Sequence, residues 1–307
     1  MKDLTIIIPA RNEEFLSLTV DGILEAKRGN TEIVVVLDGA WADPPLKQHK
    51  DLKVIYFPKS VGQRAAMNYA VKVSESKYVM KCDAHCIFDK GFDVVMMNDM
   101  QEDWTMVPLM RNVHAFDWVC NGCGHRWYQG PTPTHCCSDN KGKVKNENCN
   151  SVDFHRDIIW EAKKTPESTS MRFDSDMKFQ YWGGYKAKQK GELVETMSII
   201  GACFMCTRGK YIELDMADEK HGSWGQQGTE VACKTWLSGG KLICNKKTWF
   251  AHLFRTQGGD FGFPYKNDSA PRARKYSKDL WLNNKWDKAK YPLSWLIDKF
   301  KPPDWNL

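Results

Sequence analysis

Two kinds of hydrophobic repeat alternate over the first hundred residues. Leu4–Pro9, Glu32–Leu37, Val54–Phe57 and Tyr78–Cys82 are short apolar runs with the length and β-branched content of buried strands. Between them, Phe15, Leu18, Ile23 and Leu24 form a helix-like stripe within Glu13–Ala26. Ala65, Ala66, Tyr69 and Ala70 do the same within Gly62–Val73. Strand and helix alternating through short connections predict a parallel α/β sheet. The pattern returns later. Glu192–Cys206 is β-like and apolar, Glu230–Leu237 predicts a short helix closed by Gly239-Gly240, and Lys241–Asn245 predicts another strand.

Elsewhere the periodicity breaks. Residues 119–150 are dominated by Cys, Gly, Pro, Asn and Lys, and Lys163–Ser175 is polar. The segment after Gly258 is rich in Lys, Arg, Trp and Pro with little periodicity. These shifts divide the chain into a first half (1–118), an inserted module (119–150), a second half (151–257) and a basic, Trp-rich tail (258–307).

Composition narrows the class. With 307 residues, 42% hydrophobic and 27% charged, the chain can bury a large core, and global disorder is excluded. The net charge of +6 is compatible with a phosphate-bearing substrate, nucleic acid or an anionic surface, and does not choose among them. The longest apolar runs, such as Ile33–Leu37, are strand-sized, and Met1-Lys2-Asp3-Leu4 does not open a signal peptide. The expectation is a soluble, cytoplasmic protein. Five of the eleven cysteines lie between Cys120 and Cys149, and in a reducing compartment such a cluster points to metal rather than disulfides.

Two segments carry chemistry. Lys81-Cys82-Asp83-Ala84-His85-Cys86 follows the apolar run Tyr78-Val79-Met80, so a strand end delivers a carboxylate and an imidazole to a sheet edge. Ligands of open α/β sheets bind at that edge. An Asp and a His there suit a divalent cation that holds a diphosphate. The second segment is Cys120-x-x-Cys123-Gly124-His125, followed by Cys136-Cys137 and Cys149. It reads as a zinc ribbon: Cys120 and Cys123 form one knuckle, Cys136 or Cys137 supplies the third ligand, and the fourth lies among Cys137, His135 and Cys149.

Further residues resemble a known group. Ile6-Ile7-Ile8-Pro9-Ala10-Arg11-Asn12-Glu13-Glu14 resembles the opening of family 2-like glycosyltransferases of the GT-A fold, and Val34–Asp38 resembles their second strand. Asp83-Ala84-His85 is similar to the D-x-H motif of polypeptide N-acetylgalactosaminyltransferases. Trp224-Gly225-Gln226-Gln227-Gly228-Thr229-Glu230 and Ala251-His252-Leu253-Phe254-Arg255 are similar to two later motifs of that group. The likeness covers residues 4–100 and 195–256. The cysteine insert and the tail resemble uncharacterised family 2 enzymes of bacteriophages, which would place the protein in a host cytoplasm.

The resemblance implies a mixed, mainly parallel GT-A sheet flanked by helices, with the zinc-ribbon-like module inserted. It implies a UDP-sugar donor and an Mn²⁺ (or Mg²⁺) ion on Asp83, His85 and His252, a donor set that suits manganese better. Pro9, Ala10, Arg11, Glu13, Asp38, Arg64, Asp83 and Ala84 are the expected nucleotide-site residues. Arg64 is placed there by its position at a helix start, which favours anions. Arg255 is expected at the diphosphate, Trp224 at the sugar or base, and Glu230 at the acceptor.

One departure matters. Inverting relatives carry an acidic base where this chain has Gly228, so the expectation is retention of anomeric configuration. The acceptor is a hydroxyl. The basic chain, the zinc ribbon and the tail residues Arg272, Arg274, Lys275 and Lys278 between aromatics suit nucleic acid, and together with the bacteriophage resemblance they imply a hydroxymethylated base in DNA. The alternatives are protein Ser/Thr, a glycan, or a non-catalytic nucleic-acid-binding module on a degenerate transferase fold.

Overall fold

The computed structural model describes residues 1–136, 149–255, 262, 265 and 268–305. Strand β1 (Leu4–Ala10), helix α1 (Leu16–Ala26), β2 (Thr31–Asp38), β3 (Leu52–Phe57), α2 (Gln63–Val73) and β4 (Tyr78–Cys82) form the predicted alternating unit. They are followed by β5 (Cys86–Phe88), α3 (Phe92–Asp99), β6 (Trp104–Cys120), β7 (Arg126–Tyr128) and β8 (Phe154–Ala162). Next come β9 (Met171–Phe173), β10 (Phe179–Tyr181), β11 (Leu193–Glu195), β12 (Cys203–Thr207) and α4 (Arg208–Glu213). The chain closes with α5 (Gln227–Leu237), β13 (Lys241–His252), α6 (Ser269–Leu282) and α7 (Leu293–Phe300).

The main sheet runs β11-β13-β6-β12-β4-β1-β2-β3. Strands β4, β1, β2 and β3 are mutually parallel, and β13 runs parallel to β6. Strand β12 is antiparallel to both of its neighbours. Every residue of β1 and β2 is buried, which explains why they read as unbroken apolar runs rather than alternating ones. Strand β3 lies at the sheet edge and leaves Val54 and Tyr56 exposed.

Strand β6 has 17 residues and serves two sheets. Its first part pairs with β12 and β13, and its last part with β7 and β8. The 118/119 boundary therefore falls inside a strand, and the small sheet of the insert continues to Ala162. That sheet has its own core of Phe116, Trp118, Cys120, Trp127 and Cys136, closed against Phe15 and Leu253.

The tail differs from its sequence reading. It forms two helices packed on the second half of the chain. Helix α6 buries Ala273, Ser277, Leu280 and Trp281, and α7 buries Leu293, Leu296, Ile297 and Phe300. Both spacings are helical, but the α6 stripe is built from small residues and one Trp, which hides it from hydropathy. Among the described tail aromatics, Trp281 is buried, and the Tyr276 hydroxyl donates to Asp218 Oδ2 at 2.9 Å. Arg272 pairs with Asp268 and Lys278 with Asp176.

Candidate active site

Parallel pairing of β1 with β4 brings the turns after Ala10 and Cys82 to one edge of the sheet. Strand β13 ends there too, because its register pairs His252 with Cys86 of β5. His252 thus meets Asp83 and His85 from a distant position in the chain. His252 Nε2 lies 3.2 Å from Asp83 Oδ2, and His85 Nε2 lies 3.9 Å from the same oxygen. The ligand atoms of Asp83, His85 and His252 all lie within 4.8 Å of one another. Adjacent ligands of an octahedral cation with bonds of about 2.1 Å sit roughly 3 Å apart, so the cluster needs only a small contraction to close on an ion.

The protonation states also fit a cation. Burial, with help from Lys81 and His85, lowers His252 to about 4 against the pull of Asp83, so its imidazole is neutral near pH 7. Burial opposes ionisation of Asp83, but Lys81, His252 and His85 outweigh it and hold the carboxyl far below its usual range. Glu13 Oε2 faces His85 Nδ1 at 3.0 Å. A carboxylate on the outer imidazole nitrogen leaves the inner one free as a ligand.

The cluster forms part of the wall of a cavity of about 450 Å³. Of the expected residues, Pro9, Arg11, Glu13, Asp83, His85, Trp224, His252 and Arg255 line it. Arg255 is held by Glu13, the carboxylate that also braces His85. Arg11 Nη1 donates to the Asp38 carbonyl at 2.8 Å. Lys81 joins these residues without having been expected among them. It lies on the cavity wall and is 3% exposed, with its ammonium on Asp83 and on the Gly201 carbonyl at 2.7 Å. A lone lysine two residues before Asp83, in an otherwise apolar strand, is the signal that marks it. Tyr181, Phe254 and Tyr265 also line the cavity, and no local motif marks them.

The N-terminus of α5 forms another wall through Gln226 and Gln227. Gln226 has φ 61°, in the left-handed region. A Cβ on Gly228 would stand 1.8 Å from the Ile199 carbonyl oxygen, and one on Gly201 would stand 2.7 Å from the Gly228 nitrogen. The helix start and the 199–201 turn meet backbone to backbone, so no side chain of any kind fits at Gly228.

Five expected residues lie outside the cavity wall. Ala10 and Ala84 are packed in the core. The Asp38 carboxylate is taken up by Ser60 Oγ, the Val61 and Gly62 N–H groups and the Tyr265 hydroxyl, so it shapes the 60–62 turn. Arg64 is 1% exposed and Glu230 is fully buried. Arg64 Nε binds Glu230 Oε2 at 2.9 Å, and its other nitrogens bind the Gly222 and Gly225 carbonyls. Glu230 Oε1 accepts from the Asp218 N–H at 2.6 Å and from Lys234 Nζ at 2.8 Å. Burial acts against this carboxylate, but Lys234 and Arg64 prevail and lower it to about 2. It has no free oxygen for an acceptor, and its geometry is structural.

In the insert, Cys120, Cys123, Cys136 and Cys149 converge with all four sulfurs within 4.8 Å. Cys123 and Cys136 are 3.3 Å apart and Cys120 and Cys149 3.9 Å. Tetrahedral zinc with bonds near 2.3 Å requires about 3.8 Å between sulfurs, so the four thiols fit a structural zinc. Burial of Cys120 is outweighed by bonds from Cys136 and from backbone groups, which bring its thiol down to about 6. Cys136 and Cys149 thus stand where a third and a fourth ligand would be. His135 is outside the group, and Cys137 lies outside the described residues.

Residues 5–119 match the family described as Glycosyl transferase family 2. No curated protein matches in sequence. Among solved structures, GalNAc-T7 crystallised with UDP, GalNAc and Mn²⁺ is similar at 18% identity and a TM-score of 0.61, over 92% of this chain and 49% of that one. Residues 1–349 of TarS from S. aureus are similar at 10% identity and a TM-score of 0.51, over 96% of this chain and 68% of that one. The chain spans about half the length of the GalNAc-T7 chain. The shared architecture is the GT-A fold, a mixed, mainly parallel sheet, here with a four-cysteine insert. Among the described residues no helix is long and apolar enough to cross a membrane.

Proposed function

We propose that the chain is a metal-dependent glycosyltransferase that takes a sugar from a UDP-sugar and passes it, with retention, to a hydroxyl acceptor. The observation that carries this reading is the convergence of Asp83, His85 and His252 on one wall of a cavity that also holds Arg11, Lys81 and Arg255. The similarity to GalNAc-T7, whose structure holds UDP, GalNAc and Mn²⁺, supports the donor class. Asp83, His85 and His252 would hold the ion, which when bound supplies Lewis-acid neutralisation of the departing diphosphate. Arg255, fixed by Glu13, and the N-terminal end of α5 add preorganised positive potential on the same wall.

Retention is supported by what surrounds the acceptor face. Gly228 has no side chain and no space for one. Gln227 is a neutral amide, and Glu230 is sealed by Arg64 and Lys234. With no carboxylate free at the α5 wall, the diphosphate oxygen is the base closest to an acceptor hydroxyl that approaches from the leaving-group side. The test is incubation with a panel of UDP-sugars and Mn²⁺ without acceptor. Slow, EDTA-sensitive release of UDP is expected, and no release from any member would overturn the reading. NMR of the first-formed glycoside should show the α configuration of the donor, and a β product would overturn retention.

A further inference from the structure

A second cavity, of about 320 Å³, abuts the first, and the two share Tyr181 and Phe254 as a common wall. The Phe254 ring stands edge-on to the His252 imidazole, with centroids 4.6 Å apart, so one side chain separates the candidate metal ligands from this space. The second cavity is built by the polar segment 166–170, by Trp182 and Lys186, and by Asn112. No sequence motif reaches it.

Its wall contains a polar group without an internal partner. Ser170 is 4% exposed, and its Oγ is buried with no hydrogen bond. A buried hydroxyl left unpaired is costly unless a ligand completes it. Beside it, Tyr181 is half-exposed, and Trp182 is packed against Tyr185 with centroids 4.5 Å apart. Lys186, at the rim, has no ion-pair partner among the described residues, and Glu167 is held by Arg111 through one oxygen, Oε1.

We propose that this cavity is the acceptor subsite and that it takes a saccharide. This rests on the transferase reading above. A sugar ring offers an apolar C–H face to Tyr181 and Trp182, and a rim of hydroxyls that both donate and accept to Ser170, Asn112 and Glu167. The volume falls at the lower end for small-molecule sites. A nucleic acid fits poorly, because the one unpaired ammonium among the described residues of this wall cannot neutralise a run of phosphates, and the Glu167 carboxylate repels them. A peptide acceptor fits poorly too, because the Ser168 N–H and carbonyl are both already bonded to Met110, which leaves no open backbone edge there.

The test is saturation-transfer NMR with Mn²⁺ and saturating UDP. The probes are methyl glucoside, methyl galactoside, their N-acetylamino counterparts, a hydroxymethylcytosine oligonucleotide and a Ser/Thr peptide. Saturation of at least one saccharide is expected in the wild type. Ser170→Ala should weaken that binding about fivefold, the worth of one hydrogen bond. It should leave the melting temperature unchanged, because the hydroxyl has no protein partner to lose. Trp182→Ala should weaken it at least tenfold, with the UDP affinity moving less than twofold. Saccharide binding that survives both variants, or saturation of only the oligonucleotide or the peptide, would overturn the proposal. UDP-sugar hydrolysis in the wild type reads the transferase function separately, so failure of one is not mistaken for failure of the other.

Discussion

Asp83 and Glu230 are carboxylates with similar company and different prospects. Each has a buried lysine on one oxygen, Lys81 and Lys234, and a histidine nearby, at 3.2 Å for His252 and 3.7 Å for His221. Each is ionised well below its ordinary range despite burial. The difference is in their remaining bonding capacity. Glu230 is fully buried, with Oε1 on Lys234 and the Asp218 N–H and Oε2 on Arg64. Asp83 has Oδ1 on Lys81 and turns Oδ2 toward two imidazoles and a cavity. Burial and a shifted pKa are common to both, so neither identifies a reactive group. An incompletely satisfied oxygen that faces solvent space does.

Predictions that break or sharpen this contrast follow from the largest effect downward. Asp83→Asn keeps an oxygen for Lys81 and removes the charge from the cluster. Mn²⁺-stimulated UDP release should fall on the order of 10³-fold, the worth of several kcal/mol of charge stabilisation, while the melting temperature falls less than in Glu230→Ala, because the amide oxygen still accepts from Lys81. Unchanged, EDTA-resistant turnover would refute the metal assignment. Glu230→Ala should do the opposite and unfold the protein. Stripping one partner from a buried ion pair costs about 3–5 kcal/mol, read by urea denaturation. A stable variant with selectively lost turnover would return Glu230 to the chemistry.

The same cluster should make the fold acid-sensitive through His221. Burial first, with Arg64 and Lys234, lowers this imidazole to about 4 against the pull of Glu230 and Asp218. The unfolded chain then binds more protons between its ordinary value near 6.5 and about 4. Stability is fully present above that window and declines as pH falls through it, by up to about 3 kcal/mol. His221→Asn should remove that slope, and an equally steep decline in the variant would rule out His221 as its source. In the insert, elemental analysis should find about one zinc per chain, and Cys123→Ser should release it while altering acceptor-free UDP release less than Asp83→Asn does. Zinc-free protein purified without chelator would remove that site.

Much of the parallel unit is legible in the sequence because its strands are buried on both faces and its helices carry plain apolar stripes. The D-x-H turn is legible because Asp and His at a strand end have few structural uses. His252 and Arg255 come from the resemblance alone. Arg64 opens α2 and Glu230 lies in the first turn of α5, and only tertiary contact shows that they face each other. Lys81 carries a local signal in its apolar strand. Tyr181, Phe254 and the 166–170 wall carry none, since a polar loop reveals its cavity only after folding. Strand β6 escapes periodicity because it changes partners halfway, and its pattern around Arg111, His114 and Asp117 obeys no single period.

That strand has a consequence for anyone who wants to trim the protein. At roughly 3.3 Å per residue, β6 reaches about 55 Å along the chain, with one register shift between His114 and Phe116 where it passes from one set of partners to the other. Deleting the cysteine insert at its composition boundaries would cut through a continuous ladder, exposing Val113 and Phe116 and stripping Phe15 and Leu253 of their cover. The insert is spliced into the main sheet like a beam run through two rooms. A minimal version of this domain has to carry residues 113–162 with it or replace their inner face with a designed lid.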